Sequence, residues 1–178
     1  MSLTEVDWSL IPQPSDDGKA DHLVGQALPD VTLPTTAGAD VNVSTFNGWA
    51  VIYVYPMTGR PDRDLPEGWN TIPGARGCTP QSCAFRDHFA ELQTVGVAHL
   101  FGLSTQDRDY QVEAADRLHL PFPLLSDADQ TFGKAVGLPG MEVEGQYLHK
   151  RLMMIAKDGV IAKVFYPVFP PDQDADNV

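Results

Sequence analysis

Gly74-Ala75-Arg76-Gly77-Cys78-Thr79-Pro80-Gln81-Ser82-Cys83-Ala84-Phe85-Arg86-Asp87 carries both cysteines of this 178-residue chain. Upstream, Ala50 to Tyr55 is an unbroken apolar run. Beyond Pro80, Phe85, Phe89 and Leu92 recur at helical spacing. The spacing predicts a helix from Pro80 to about Thr94, so Cys78 stands where a strand and its loop feed the first helical turn. Unpaired N–H groups and the positive end of the helix dipole favour an anion there. Thr79 is the expected N-cap, and Pro80 fits the first turn without wasting a donor. An ordinary thiol is only about 3% ionised at pH 7. The helix start and Arg76 both favour the thiolate, which is the nucleophilic form. On residues alone, Cys78 is either an activated nucleophile or a small buried core residue.

Cys83 follows five residues later. In an unbroken helix the two Cα atoms would lie about 8.5 Å apart, beyond the roughly 7 Å that a disulfide tolerates. The pair bonds only if the first turn unwinds, which suits a redox switch better than a permanent staple. An ordinary core position beside Ala84 and Phe85 is the other reading of Cys83.

The length suits one domain with a full core. A formal charge of −12 repels a phosphate backbone, so neither a nucleic-acid nor an anionic-membrane partner is expected. No apolar run approaches the roughly 18 residues of a membrane span. Met1 to Gly18 has no basic start followed by an apolar core, so the cytoplasm is the expected compartment. Two cysteines at this spacing fit catalysis in a reducing compartment and not a disulfide scaffold.

Residues 1–24 read as an irregular arm, rich in Pro and Asp and pinned by Trp8, Leu10 and Ile11. Residues 25–178 read as a single domain. It opens with short strands at Val31 to Leu33 and Val41 to Val43 around a Gly38 turn. Ala50 to Tyr55, apolar on both faces, is a central parallel strand whose carboxyl end delivers the chain towards Cys78. Residues 57–77 form a long Gly/Pro-rich loop, favoured as a lid or pocket wall over the thiol. A second buried strand spans Ala98 to Leu103, and Ser104 or Thr105 caps a helix from Gln106 to His119. A short helix follows near Gln130 to Val136. Arg151 to Ala156 and Val160 to Phe165, joined at Lys157-Asp158-Gly159, make the clearest hairpin. This order is thioredoxin-like: an α/β fold with a central mixed sheet flanked by helices and an N-terminal β-hairpin extension. The Asp-rich tail from Pro170 reads as a helix start that stops after a turn or two.

Gly77-Cys78-Thr79, Cys83 and Arg86-Asp87 resemble, position by position, the motif of peroxiredoxins of the bacterioferritin-comigratory, or Q-type, group. The likeness runs from about Gly25 to Tyr166. It implies a thiol peroxidase with Cys78 as peroxidatic and Cys83 as resolving cysteine, acting on hydrogen peroxide or organic hydroperoxides. Thioredoxin or a similar dithiol would be the reductant, no cofactor or metal is implied, and the chain would be a monomer or homodimer. Arg151, in His149-Lys150-Arg151-Leu152-Met153, matches the family's arginine. His149 shares its strand parity, though a solvated histidine is the expected state. The resemblance also implies a closing C-terminal helix.

The chain departs from the family pattern in two places. The loop at 57–77 is longer, so Pro56 matches the family's proline only if that loop is an insertion. Ala75 stands where the family has the Thr whose hydroxyl handles the peroxide. Thr58 or Thr71 is the candidate replacement, with Gly77 as a further pocket residue. Two other readings stay open: a thiol–disulfide oxidoreductase acting on proteins, and a non-catalytic thioredoxin-like binding module. The cysteines lack His at ligand spacing, which leaves a metal site a minor option.

Overall fold

A computed structural model describes residues 6–178. Residues 1–5 of the expected arm lie outside the described residues. Two short strands, β1 (Thr32–Leu33) and β2 (Val41–Asn42), pair antiparallel as the opening hairpin. There follow β3 (Trp49–Val54), α1 (Cys78–Thr94), β4 (Val97–Ser104), α2 (Arg108–Arg117), β5 (Leu124–Ser126) and α3 (Thr131–Val136). The chain then forms β6 (Gly140–Val143), β7 (Gln146–His149), β8 (Leu152–Lys157) and β9 (Val160–Phe165).

The main sheet has the order β5-β4-β3-β8-β9, with β3, β4 and β5 parallel and β8 and β9 antiparallel to their neighbours. β3 is the middle strand, and from Ala50 onward all its side chains are buried. A strand covered on both faces has no solvent side to mark with polar residues, which is why its sequence shows no alternation. Ala50, Ile52 and Val54 join a core with Leu23, Phe46, Phe132 and Met154. Val51, Tyr53 and Tyr55 join a second core with Phe85, Leu92, Phe122 and Cys78, beneath α1. Phe85 stacks on Tyr53 with ring centroids 4.4 Å apart. Burying a ring of this size contributes about 2–3 kcal/mol. Gly102 on β4 makes room for that stack, since a Cβ there would lie 2.6 Å from both Tyr53 Cζ and Leu124 Cδ2. The ring thereby passes over the sheet, and its hydroxyl donates to Ser82 Oγ at 3.1 Å.

Several boundaries differ from expectation. α2 is shorter, because Asp107 caps it and not Ser104 or Thr105: the Asp107 carboxylate accepts from Tyr110 N at 2.8 Å. β6 and β7 form an unexpected further hairpin through Glu144 and Gly145, both at positive φ. The tail is a 3-10 turn, Pro171–Asn177, packed against α1, with Asp174 and Ala175 buried. In the arm, Trp8 donates its indole N–H to Asp172 at 3.0 Å, whereas Leu10 is exposed.

Candidate active site

Cys78 is the first residue of α1, and its cap is Gly77, not Thr79. Gly77 has φ 113°, a left-handed conformation that side chains disfavour. Space forbids one as well: a Cβ would sit 2.6 Å from Pro171 Cγ and 2.9 Å from the Trp8 ring. Thr79 and Pro80 therefore fall inside the helix, where a missing N–H still costs nothing because the first four have no intrahelical acceptor. Helical bonding begins with Gln81 N donating to Gly77 O at 3.0 Å.

The strand register brings the arginine to the sulfur. Leu152 opens β8 opposite Val54, the last residue of β3, so Arg151 enters at the same sheet edge from which the chain leaves for Cys78. Arg151 Nη2 donates to Cys78 Sγ at 3.2 Å. The same nitrogen reaches the carbonyls of Gly74, Ala75 and Arg76 at 3.3, 3.1 and 3.2 Å, so the end of the long loop is wrapped around the guanidinium. The Cys78 S–H faces Ala75 O at 3.7 Å. Arg151 thus sets a permanent cation, with its donors in a fixed fork, directly against the sulfur. Arg76 lines a cavity together with Cys78, and its guanidinium donates to Asn70 Oδ1 at 2.9 Å.

Arg151 is itself held. Its Nη1 donates to Gln81 Oε1, and Gln81 Nε2 donates to Asp174 Oδ2 at 2.6 Å. Burial pushes the Asp174 carboxyl up to about 6, against the Gln81 hydrogen bond and the Arg151 charge, which pull it down. The native state thus keeps a proton that the unfolded chain releases between about pH 4 and 6. The stability this confers is full below that window and lost as pH rises through it, to the extent of about 3 kcal/mol. Asp174→Asn is expected to remove this slope. Chemical denaturation of both proteins from pH 4 to 7 should show the variant gaining on the wild type, and parallel curves would contradict the raised carboxyl.

A cavity of about 60 Å³ opens on Cys78, walled by Met57, Gly59, Leu65, Trp69, Gly77 and Pro80 among others. Residues of the long loop supply much of this wall. Trp69 is fixed by an apolar cluster with Ala75, Val143 and Leu148, so the β6–β7 hairpin buttresses the loop. Ala75 brings a methyl group to that cluster, and only its carbonyl faces the site. Neither candidate threonine supplies the missing hydroxyl. Thr58 gives both its N–H and its hydroxyl to Gln106 Oε1, at 3.0 and 3.2 Å, and Thr71 donates to Gly68 O. Pro56 is buried, and of Pro56, Thr58 and Gly77 only Gly77 lines the cavity.

Cys83 is a free, buried thiol on the unbroken helix. Burial pushes its thiol up, and the nearby Arg86 charge offsets part of this. His149 is not solvated: it ends β7, and its Nε2 lies 2.7 Å from Asp127 Oδ2 in a buried pair. Asp127 also accepts from Phe132 N and Gly133 N at the start of α3, so this pair braces the fold away from the sulfur. Among the described residues no group of His, Cys, Asp and Glu could hold a metal ion, and no helix is long and apolar enough to cross a membrane.

The Redoxin family profile matches residues 23–178. Peroxiredoxin Q of Populus jackii chloroplasts is 31% identical over 153 residues, covering 85% of this chain and 64% of its own length. The chain therefore spans somewhat under two thirds of that relative. The chloroplastic peroxiredoxin Q of Sedum lineare is 30% identical, with 85% and 73% covered. Among solved structures, the peroxidoxin BcpB of Mycobacterium tuberculosis superposes with a TM-score of 0.69 at 26% identity, covering 86% of this chain and 92% of that one. With its thioredoxin-like sheet and a cysteine–arginine pair at its carboxyl edge, the chain belongs to the Redoxin family, in the peroxiredoxin Q group.

Proposed function

We propose that the chain is a thiol peroxidase in which Cys78 attacks the peroxide. The observation that carries this reading is the 3.2 Å contact from Arg151 Nη2 to Cys78 Sγ, at a cysteine that is the first residue of a helix and lines a small cavity. The Cys78 thiolate attacks the distal oxygen of a hydroperoxide: the S–O bond forms, the O–O bond breaks, and the leaving alkoxide or hydroxide takes a proton. Cys78 becomes a sulfenic acid, and the peroxide is reduced to an alcohol or water. The guanidinium and the open N–H groups at the helix start stabilise charge first on sulfur and then on the leaving oxygen. The cavity suits hydrogen peroxide and small organic hydroperoxides.

Cys83 then attacks the sulfenic sulfur, releasing water and closing a Cys78–Cys83 disulfide. On the intact helix this attack is out of reach, so the first turn must open. Opening has to break Gln81 to Asp174 and Tyr53 to Ser82 and lift Gly77 from Pro171. It also ends the burial that pushes the Cys83 thiol up, which makes the second cysteine a better nucleophile once the turn has opened. A dithiol protein such as thioredoxin reduces the disulfide by exchange. Two free thiols suit a reducing compartment, and the cytoplasm is the setting proposed.

Intact mass after one equivalent of hydrogen peroxide tests the sequence of steps. The wild type is expected to lose about 2 Da as the disulfide closes, and Cys83→Ser to gain about 16 Da as the sulfenic acid persists. A wild-type chain that gains the oxygen and keeps it would remove Cys83 from the cycle.

A further inference from the structure

The described parts of the molecule hold one buried carboxylate connected to the reacting sulfur through other side chains. We propose that Asp174, from the C-terminal 3-10 turn, is a positioning residue that sets the polarity of the Gln81 amide and, through it, the aim of Arg151 at Cys78. The proposal rests on the peroxidase reading of Cys78.

A glutamine amide has two unlike ends of nearly the same shape, one accepting and one donating. A guanidinium only donates, so it needs the Oε1 end. A half-turn of the amide would present Nε2 to Arg151, donor against donor, and the guanidinium would lose the partner of its Nη1. Asp174 Oδ2, 2.6 Å from Nε2, is the acceptor that fixes the choice. The Arg151 fork has two separate jobs: Nη1 is anchored on Gln81, and Nη2 spans the loop carbonyls and the sulfur. Losing the anchor frees the plane of the fork to rotate away from the sulfur.

Packing alone does not account for an acid here. Asp174 is fully buried, and its Oδ1 has no hydrogen-bond partner. A buried carboxylate with half its acceptors idle is costly, and an apolar side chain would fill the place with less penalty. Groups of this kind are kept where they serve a site. Arg151 is the charged group that bears on it from another element. On either side, Asp172 takes the Trp8 indole and Asp176 meets His88 at 3.3 Å, so neither competes for Gln81.

The experiment measures Cys78 oxidation by hydrogen peroxide, with Cys78 alkylation by iodoacetamide at pH 7 followed in parallel by peptide mass. Asp174→Ala, which asks for no extra room, is expected to slow both reactions about tenfold or more, and Asp174→Leu to match it. Adding Gln81→Glu to either variant is expected to restore both rates to within about threefold of the wild type. A carboxylate accepts at both ends and needs no neighbour to orient it. Unchanged rates in the single variants overturn the proposal, and so does a double variant as slow as its parent, which would mark the loss as one of packing. A wild-type chain inert to peroxide ends the peroxidase reading instead, while alkylation still decides the role of Asp174.

Discussion

Replacing Cys78 by serine is expected to bring peroxide consumption down to the uncatalysed level, a loss of at least about 10⁴-fold. A serine hydroxyl is not ionised by one nearby guanidinium, and no imidazole stands ready to take its proton: His149 is committed to Asp127. Cys83 cannot substitute, because it is buried, its thiol is pushed towards the protonated form, and Arg151 is directed at the other sulfur. Serine is close in size, so the fold should hold, with melting within a few degrees of the wild type. Stopped-flow peroxide consumption, with intact mass as the second readout, checks both halves. The variant's mass should be unchanged by peroxide, and turnover surviving the substitution would move the chemistry to another group.

What could be read from the sequence followed from local physics. The unbroken apolar run at 50–55 is short and rich in β-branched and aromatic residues, which suits a strand covered on both faces, and it is the middle of the sheet. Phe85 and Leu92 bury one stripe of α1 at the predicted spacing. The errors came where two local signals competed. Thr79-Pro80 looked like a cap and first turn, but Gly77 was the residue able to take a left-handed φ against Pro171 and Trp8. That choice depends on groups 94 and 69 positions away along the chain, which no window of sequence contains. The β6–β7 hairpin is hard to read because its turn is Glu144-Gly145 and the alternation of its second strand is broken by Tyr147 beside Leu148.

The site was legible in its sulfur and barely beyond. Cys78 announces itself by spacing and helix position, whereas Arg151 taken alone resembles any surface charge. Only the register of Leu152 on Val54 shows that it must enter at the cysteine's edge. Gln81 reads as an ordinary polar residue of a helix, and the acids of the tail as a solvated, fraying end. Yet Gln81 and Asp174 are both fully buried. Nothing in composition separates Asp174 from Asp172 and Asp176. The distinction is that the 3-10 turn buries one of the three against Gln81 and leaves the other two exposed. His149 was mistaken for the opposite reason, since its partner Asp127 lies 22 positions earlier in a segment with no visible link to it.

Arg151→Lys is expected to lower the second-order rate constant with hydrogen peroxide by roughly 100- to 1,000-fold, the usual cost of removing a donor aimed at developing charge. Lysine keeps the positive charge, so the experiment isolates geometry. A single Nζ on a flexible stem cannot reach Gln81 Oε1, the carbonyls of Gly74, Ala75 and Arg76, and Cys78 Sγ together. The ammonium should settle on the carbonyls, where three acceptors converge, leaving the sulfur with the helix start alone. Ala75 sharpens the expectation. The hydroxyls of Thr58 and Thr71 are engaged elsewhere, so neither takes over the polarising of the peroxide once the fork is gone. Methionine would be a poorer test, because it leaves those carbonyls unpaired at about 1–3 kcal/mol each and confuses folding with catalysis. In Arg151→Lys the wild-type mass change of about 2 Da should still appear at long times, slow but complete, because Cys83 and the opening of α1 are untouched. A rate within threefold of the wild type would show that charge alone, without the fork, activates Cys78.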